Sequence, residues 1–214
     1  MPHPNIQFDY FGDDAASPPT MDQRLEQHPT LPGLAEAASE TSAAGTFEQH
    51  WLHTLAHVLT DEIQELCSLE KMLAASLGNI GRAATDKIFR AVCEIQAEQS
   101  REQFQRLEQV QQSLGQQPDG RACPTMEGLL MGLQETIAEN EAGPVRDERL
   151  VEIARKIKQY EVAGYCSARD FAQLLGLMPV AELLQKSLDE KTAMEARLGN
   201  IAELFGARIK MPKV

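Results

Sequence analysis

The sequence predicts an all-α domain built from four long helices. From Phe47 onward, apolar residues recur about every 3.6 positions and runs of β-branched residues are few, which is typical of amphipathic helices. Gly and Pro cluster between these periodic stretches, where helices are expected to end. The 214 residues suffice for one domain with a substantial core and an additional segment.

The additional segment lies at the N-terminus, over residues 1–46. It holds six of the eleven prolines, and its seven acidic residues are opposed only by Arg24. Such a segment buries too little apolar surface to become ordered, so the sequence predicts a disordered acidic tail. Phe8, Tyr10 and Phe11 lie among its acids and form a candidate motif for docking a protein partner, with an unused tail as the alternative.

Residues 47–207 are expected to form the helical domain, followed by a short basic C-terminal tail over residues 208–214. The predicted long helices span about 47–82, 86–114, 146–177 and 180–205. Thr85 or Asp86 is suited to cap the second helix, because short polar side chains accept hydrogen bonds from the first backbone N–H groups. Pro179 is suited to the first turn of the fourth helix.

A shorter amphipathic helix, MEGLLMGLQETIAEN, is predicted in the connection between the second and third long helices. It follows a loop rich in Gly and Pro and ends before Gly143 and Pro144. A single long crossover allows two antiparallel hairpins to pack together. The predicted fold is therefore an all-α, ferritin-like four-helix bundle with a short extra helix in the crossover.

Composition excludes several classes of function. The formal net charge is −12 and no stripe of Lys and Arg is present, which argues against nucleic acid as a partner. No run of about 18 apolar residues could span a bilayer and no signal peptide is recognisable, so we expect a cytoplasmic protein without a membrane partner. The four cysteines lack metal-binding spacing and are expected to be reduced, buried thiols.

Polar residues on the inward face at mid-length are the most informative feature of the four helices. When each helix is turned by about 100° per residue, these residues are Glu70 in the first, Gln96, Gln99 and Gln103 in the second, Glu161 in the third and Lys191 in the fourth. Charged side chains are seldom buried unless they are paired or bind a metal. A polar layer in mid-bundle is also where carboxylate-bridged metal sites are built.

Four blocks follow one another along the domain: DEIQELCSLEKML, CPTMEGL, YEVAGYCSARDFAQLLG and LDEKTAMEARL. They resemble, in the same order, the motifs D-E-L-x-x-L-Y-x-A-E-K-Q-L, C-x-A-M-E-G-L, Y-E-I-A-x-Y-x-x-L-x-x-L-A-x-x-L-G and L-D-E-E-K-A-T-D-x-x-L of the YciE/YciF family of ferritin-like bacterial stress proteins. The resemblance spans roughly residues 52–205. It implies a ferritin-like fold, a homodimer and a two-metal site similar to that of rubrerythrin.

The second and fourth helices depart from the family's motifs. EIQAEQSREQ stands where the family commonly has E-E-H-L-E-E-T-x-x-Q, which puts Gln96 at its His and Gln99 at a Glu. Lys191 replaces the second Glu of the family's D-E-E, while Glu190 is retained. All five histidines precede Thr60, so the Glu-x-x-His pairs of di-iron bundles are absent.

These residues leave two readings of the polar layer. In the leading one, Lys191 pairs with Glu70 and Glu161, and with Gln96 and Gln99 it forms a polar core that replaces the metal and needs no cofactor. Nearby carboxylates raise the pKa of a lysine, and a protonated lysine cannot bind a metal. The protein is then a structural or interaction protein without enzymatic activity.

In the alternative reading the layer binds iron or manganese, and the protein is a carboxylate oxidoreductase that handles peroxide. The candidate ligands are Glu70, Glu161, Glu190, Glu98 and Gln103. A separate surface metal site could be formed at the start of the first helix by His50, His53, His57 and Asp61. A solvated helix face is the favoured interpretation of these four residues, because nothing in the sequence places a further ligand opposite them.

Overall fold

The computed structural model describes residues 43–118 and 120–210, with the side chains of residues 49–118 and 120–207. These residues form five α-helices and no strand. The helices are α1 (Ala43–Ala83), α2 (Lys87–Ser113), α3 (Pro124–Glu139), α4 (Pro144–Leu174) and α5 (Met178–Lys210). The predicted fold class, with one short helix in the crossover, is confirmed.

The predicted helix ends are close to the observed ones. Asp86 caps α2, accepting hydrogen bonds from the backbone N–H groups of Ile88 at 2.8 Å and Phe89 at 3.0 Å. Helix α4 stops before its predicted end because Gly176 adopts a φ of 70°, a left-handed conformation that glycine tolerates. Helix α5 continues to Lys210, into the segment predicted as a C-terminal tail.

The N-terminal segment up to residue 42 and residues 211–214 lie outside the described residues. The predicted acidic tail and its motif of Phe8, Tyr10 and Phe11 therefore stay predictions. Helix α1 already includes residues 43–46, which were assigned to the tail.

Two helical hairpins, α1 with α2 and α4 with α5, pack against each other, and α3 packs on α4 and α1. Their predicted apolar stripes are buried in α1, α2 and α5. Fully enclosed examples are Leu59, Ile63 and Leu73 from α1, Phe89 and Val110 from α2, and Leu184 and Leu198 from α5. No helix of the described residues is long and apolar enough to cross a membrane.

The apolar stripe predicted for α4 is confirmed only in part. It runs through Ile157, Gly164, Ala168, Phe171 and Leu175, with Glu161 on the same face. Ile157, Glu161 and Ala168 are buried as predicted, whereas Gly164, Phe171 and Leu175 are only half-buried, and Tyr165 beside the predicted stripe is fully enclosed. The observed buried arc differs because it includes charged residues, which apolar periodicity does not count.

One carboxylate ties the two hairpins together at an end of the bundle. Asp147, at the start of α4, is 1% exposed. It accepts hydrogen bonds from the backbone N–H groups of Thr85 at 2.9 Å and Asp86 at 2.6 Å, and from the Thr85 hydroxyl at 2.5 Å. The turn between α1 and α2 is thus fixed to the first turn of α4.

The crossover between α2 and α3 lies along α1. The Gln116 side chain donates to the Thr60 hydroxyl at 2.7 Å, and the Arg121 guanidinium lies 2.5 Å from Asp61. A Cβ at Gly120 would lie 2.4 Å from the hydroxyl oxygen of Ser68, so a larger residue there would require the Ser68 side chain to rotate. These contacts hold the crossover against α1 and so place Cys123 and the start of α3 beside the interface of α1 and α4.

Candidate functional site

Five buried side chains meet in the middle of the bundle and form what we call the buried charge cluster. They are Glu70 of α1, Lys158, Glu161 and Tyr165 of α4, and Lys191 of α5. Each is at most 2% exposed. Two carboxylates and two ammonium groups make the cluster formally neutral, which is the condition under which such charges tolerate burial.

Lys191 is the centre of this cluster. Its Nζ lies 2.7 Å from Oε1 of Glu70 and also forms an ion pair with Oε1 of Glu161. The Tyr165 hydroxyl donates to Oε1 of Glu70 at 2.8 Å, and its ring centroid lies 5.7 Å from Nζ of Lys191. One ammonium group therefore joins carboxylates from α1 and α4, as the leading sequence interpretation expected.

Lys158 is the second cation of the cluster. Its Nζ lies 2.5 Å from Oε2 of Glu161 and forms an ion pair with it. Glu161 is thus flanked by two ammonium groups, one on each oxygen. Among the described residues, the polar partners of Glu70 are Lys191 and the Tyr165 hydroxyl.

The four charged groups respond differently to burial. Burial alone would raise the pKa of Glu161, but Lys158 and Lys191 outweigh it and the pKa is lowered. The pKa of Glu70 is raised, because burial and the charge of Glu161 together exceed the lowering effects of Lys191 and Lys158. Burial lowers the pKa of Lys158 to about 8, whereas Glu161 and Glu70 reverse the effect of burial on Lys191 and raise its pKa.

The retained family glutamate lies in a neighbouring ion pair. Glu190 receives two hydrogen bonds of 3.0 Å from Arg106 and one of 2.8 Å from the Gln103 amide. Arg106 also donates to the Ser187 hydroxyl at 2.6 Å. Both glutamate oxygens are therefore bound to α2, and Gln103 uses its amide as a donor to Glu190.

Two residues of α2 lie elsewhere than the sequence interpretation expected. The side chain of Glu98 is 65% exposed and pairs with Arg101, so it does not complete a shell of ligands. Gln99 is half-buried, while Gln96 and Ser100 are buried. The reason is geometric: Glu98 is two residues, or about 200°, from the inward position of Gln96.

The sequence interpretation did not include Lys158, and for Tyr165 it weighed hydrogen-bond donation near the polar layer against core packing and favoured packing. Both lie on the same arc as Glu161, at i−3 and i+4, and this spacing was the available signal. An isolated lysine usually faces solvent, so Lys158 alone gave no indication of burial.

The donor set of this layer does not fit a two-metal centre. Two divalent ions in such a bundle need about four carboxylates and two further ligands. Here Glu70 and Glu161 are held by ammonium groups, and the further buried oxygens without a hydrogen bond are Oε2 of Glu70, the Ser100 hydroxyl and Oε1 of Gln103. No group of three His, Cys, Asp or Glu among the described residues could hold a metal ion.

The histidine motif at the start of α1 likewise gathers no set of ligands. The rings of His53 and His57 meet edge to face with centroids 4.6 Å apart, and Asp61 forms an ion pair with Arg121. His50 is exposed and His53, His57 and Asp61 are half-buried, so the favoured interpretation of a solvated helix face holds for His50 and only in part for the other three.

A second polar group, which we call the surface tyrosine cluster, consists of Tyr160, Glu65 and Cys123. The Tyr160 hydroxyl donates to Oε1 of Glu65. The Cys123 thiol lies 3.4 Å from the same oxygen and 3.7 Å from the Tyr160 hydroxyl. Burial raises the pKa of Cys123 to about 11, so the thiol keeps its proton.

This cluster borders a cavity of about 330 Å³ between α1 and α4. Its polar lining comes from Glu62, Glu65, Tyr160 and Ser167, and its apolar lining includes Leu66 and Leu69. Burial, followed by the charges of Glu65 and Asp61, raises the pKa of Glu62. The volume is near the lower limit of small-molecule sites.

Comparisons with known proteins agree with the four sequence blocks. The family model described as a domain of unknown function, DUF892, matches residues 54–209. Protein YciF of Escherichia coli K12 is 30% identical over 152 residues, which cover 71% of this chain and 92% of YciF.

Two solved structures are similar to this chain. The crystal structure of the E. coli stress protein YciF has a TM-score of 0.69 at 28% identity and covers 72% of this chain and 97% of its own. YcfI of Rhodopseudomonas palustris, described as a candidate structural protein, has a TM-score of 0.66 at 27% identity and covers 68% of this chain and 92% of its own. The bundle is therefore shared over nearly the whole length of these relatives.

Proposed function

This chain belongs to the YciF family, by its DUF892 domain and its likeness to YciF, and from that premise we propose that it is a non-enzymatic structural or interaction protein. In this proposal the metal layer that the family resemblance implies has been replaced by the buried charge cluster. The observation that carries the proposal is the contact of the Lys191 ammonium with both Glu70 and Glu161.

The electrostatics of the layer support this proposal. A cation held between Glu70 and Glu161 would have to displace Lys191, which their charges keep protonated. It would also meet the second ammonium of Lys158 beside Glu161. The layer already contains as many formal positive charges as negative ones, so further divalent ions would be uncompensated.

Metal content tests the proposal directly. Protein expressed with abundant iron and manganese should carry well under one metal ion per chain by elemental analysis. The variant Gln96→His, Gln99→Glu, Lys191→Glu restores the residue of the family motif at three positions and should gain metal. The matched control, Gln96→His with Gln99→Glu, keeps Lys191 and should gain little, because the ammonium still blocks both carboxylates.

Two tightly held metal ions in the unmodified chain would overturn the proposal and favour the iron or manganese oxidoreductase. Equal metal uptake by the triple and double variants would show that Lys191 is not the blocking group.

We also propose that the protein is a homodimer, as the family resemblance implies. Ile88 and Ile95 are 49% and 39% exposed and lie seven residues apart on one face of α2, where a partner surface could cover them. Light scattering should give a dimer mass, and Ile88→Glu with Ile95→Glu should shift it toward the monomer. A monomeric unmodified chain contradicts this proposal.

A further inference from the structure

Every tyrosine among the described residues donates its hydroxyl to a glutamate of α1. Tyr165 donates to Glu70 and Tyr160 to Glu65, so the two pairs are spaced by five residues on both helices. Their surroundings differ in two respects. Tyr165 is fully buried in the neutral charge cluster, whereas Tyr160 lines the cavity between α1 and α4 and has the Cys123 thiol 3.7 Å from its oxygen.

We propose that Tyr160 is a one-electron donor to small oxidising radicals of the peroxyl class that enter this cavity. Glu65 receives the phenol proton in this reaction, and Cys123 restores the phenol. The proposal goes beyond the structural role described above, because it assigns a chemical reaction to the surface tyrosine cluster.

The first step consumes the radical. A peroxyl radical takes one electron from Tyr160 and becomes a peroxide anion, while the O–H bond of Tyr160 breaks and its proton passes to Glu65. The peroxide anion then takes this proton and leaves as a hydroperoxide, which returns Glu65 to the carboxylate. Tyr160 remains as a neutral phenoxyl radical, so atoms and electrons balance.

The second step moves the unpaired electron away from the ring. The S–H bond of Cys123 breaks, the hydrogen atom re-forms the O–H bond of Tyr160, and the unpaired electron resides on sulfur. This requires a thiol that holds its proton and lies beside the phenol oxygen, and Cys123 meets both conditions.

The geometry explains why the proton acceptor matters. Burial and the hydrogen bond to Glu65 raise the pKa of Tyr160, so the phenol is protonated when the radical arrives. Without a proton acceptor, loss of the electron would leave a protonated phenol radical cation. A base within hydrogen-bond distance removes this obstacle, as in general base catalysis.

The inner pair lacks the conditions for this reaction. Oxidation of Tyr165 would leave one uncompensated positive charge inside a fully buried, formally neutral cluster, which is costly at low dielectric. Tyr165 does not line the cavity either. It therefore serves as the matched control for Tyr160.

The full chain with Trp51→Phe and Tyr10→Phe provides the test, because it leaves Tyr160 and Tyr165 as the oxidisable aromatic side chains. Azide radicals generated by pulse radiolysis serve as the one-electron oxidant, and the phenoxyl radical is followed by its absorbance. Adding Tyr160→Phe should lower the radical yield at least about tenfold, whereas adding Tyr165→Phe should leave it nearly unchanged. The reverse order, or equal yields, overturns the proposal.

Two further variants test the partners of Tyr160 in the same background. Glu65→Gln should slow formation of the radical at least about tenfold, since an amide cannot accept the proton, and Glu65→Asp should restore part of the rate. Cys123→Ser should lengthen the radical's lifetime severalfold. An unchanged rate in Glu65→Gln rejects proton transfer to Glu65, and an unchanged lifetime in Cys123→Ser rejects the thiol step.

Discussion

The two tyrosine–glutamate pairs at the interface of α1 and α4 use the same hydrogen bond in opposite environments. The inner pair, Tyr165 with Glu70, is fully enclosed, and Lys191 contacts the same carboxylate oxygen. The outer pair, Tyr160 with Glu65, lines a cavity and has the Cys123 thiol as its neighbour. Burial and the presence of a counter-charge therefore decide whether a tyrosine–glutamate pair contributes mainly to stability or is available for chemistry.

In the inner region the charges balance one another, so the main consequence of any change there is on stability. In the outer region carboxylates outnumber cations along the cavity, and a thiol is within reach of the phenol. Changes there should affect chemistry more than folding.

Removal of Lys191 is expected to have the largest effect on stability. Lys191→Met leaves Glu70 without a cation and should lower the free energy of unfolding by about 3 to 5 kcal/mol in denaturant titrations. The control Lys156→Met removes an exposed pair with Glu152 and should cost less than about 0.5 kcal/mol. Equal losses for the two variants would show that the buried contacts of Lys191 stabilise the fold no more than an exposed ion pair does.

The contributions of the two lysines of the buried charge cluster to the free energy of unfolding should depend differently on pH. The pKa of Lys158 falls from 10.5 to about 8, so above about pH 8 the unfolded chain binds more protons than the folded one. The contribution of Lys158 to the free energy of unfolding therefore rises with pH in this window, and the cost of Lys158→Met should grow by up to about 3 kcal/mol by pH 10.

The pKa of Lys191 is raised, so its stabilising contribution is present below its usual pKa of 10.5 and declines only above it. Denaturant titrations at about pH 7 and pH 10 should therefore show a growing cost for Lys158→Met and a constant one for Lys191→Met. Parallel curves for the two variants would contradict this difference.

Deletion of each phenol hydroxyl compares the inner and outer pairs directly. Tyr165→Phe removes a buried hydrogen bond to a charged group and should cost about 1.5 to 3 kcal/mol of unfolding free energy. Tyr160→Phe should cost about 1 kcal/mol or less, since water in the cavity can reach Glu65. A larger loss for Tyr160→Phe in denaturant titrations would reverse the comparison.

The smallest effect is expected for a carboxylate outside both regions. Glu98→Gln should change the free energy of unfolding by less than about 0.5 kcal/mol, because Glu98 is exposed and pairs with Arg101 on its own helix. Thermal and denaturant unfolding both measure this. A loss of several kcal/mol would place Glu98 inside the polar layer, as sequence reasoning first expected.

Helical periodicity made the fold and part of the inner cluster predictable. Apolar spacing identified the stripes of α1, α2 and α5, and the same rotation brought Glu70, Glu161 and Lys191 inward. Asp86 could be recognised as a cap because capping depends on residues close in sequence.

The remaining contacts depend on the axial register between helices, which one sequence does not encode locally. The burial of Lys158 could not be predicted, because a lone lysine at the edge of an apolar stripe has the pattern of a solvated residue. The hydrogen bond from Tyr165 to Glu70 and the meeting of Cys123 with Glu65 require α1, α4 and the crossover to be aligned. Metal binding by the layer and the role of the N-terminal tail stay predictions.

The hydrogen bonds between Asp147 and the turn between α1 and α2 fix the axial alignment of α4 with α1. Glu70 lies about 15 residues before Thr85 in α1, and Glu161 lies about 14 residues after Asp147 in α4, which are rises of about 22 and 21 Å. A single contact at the bundle end thus brings the two carboxylates to the same height, within one residue of rise. A slip of one helical turn between the hairpins, about 5.4 Å, would separate Glu70 from Lys191, whereas Glu161 would keep its contact because it lies on the same hairpin as Lys191. The alignment of Glu70 with the other two residues is thus supported by a contact about 20 Å away along the helices.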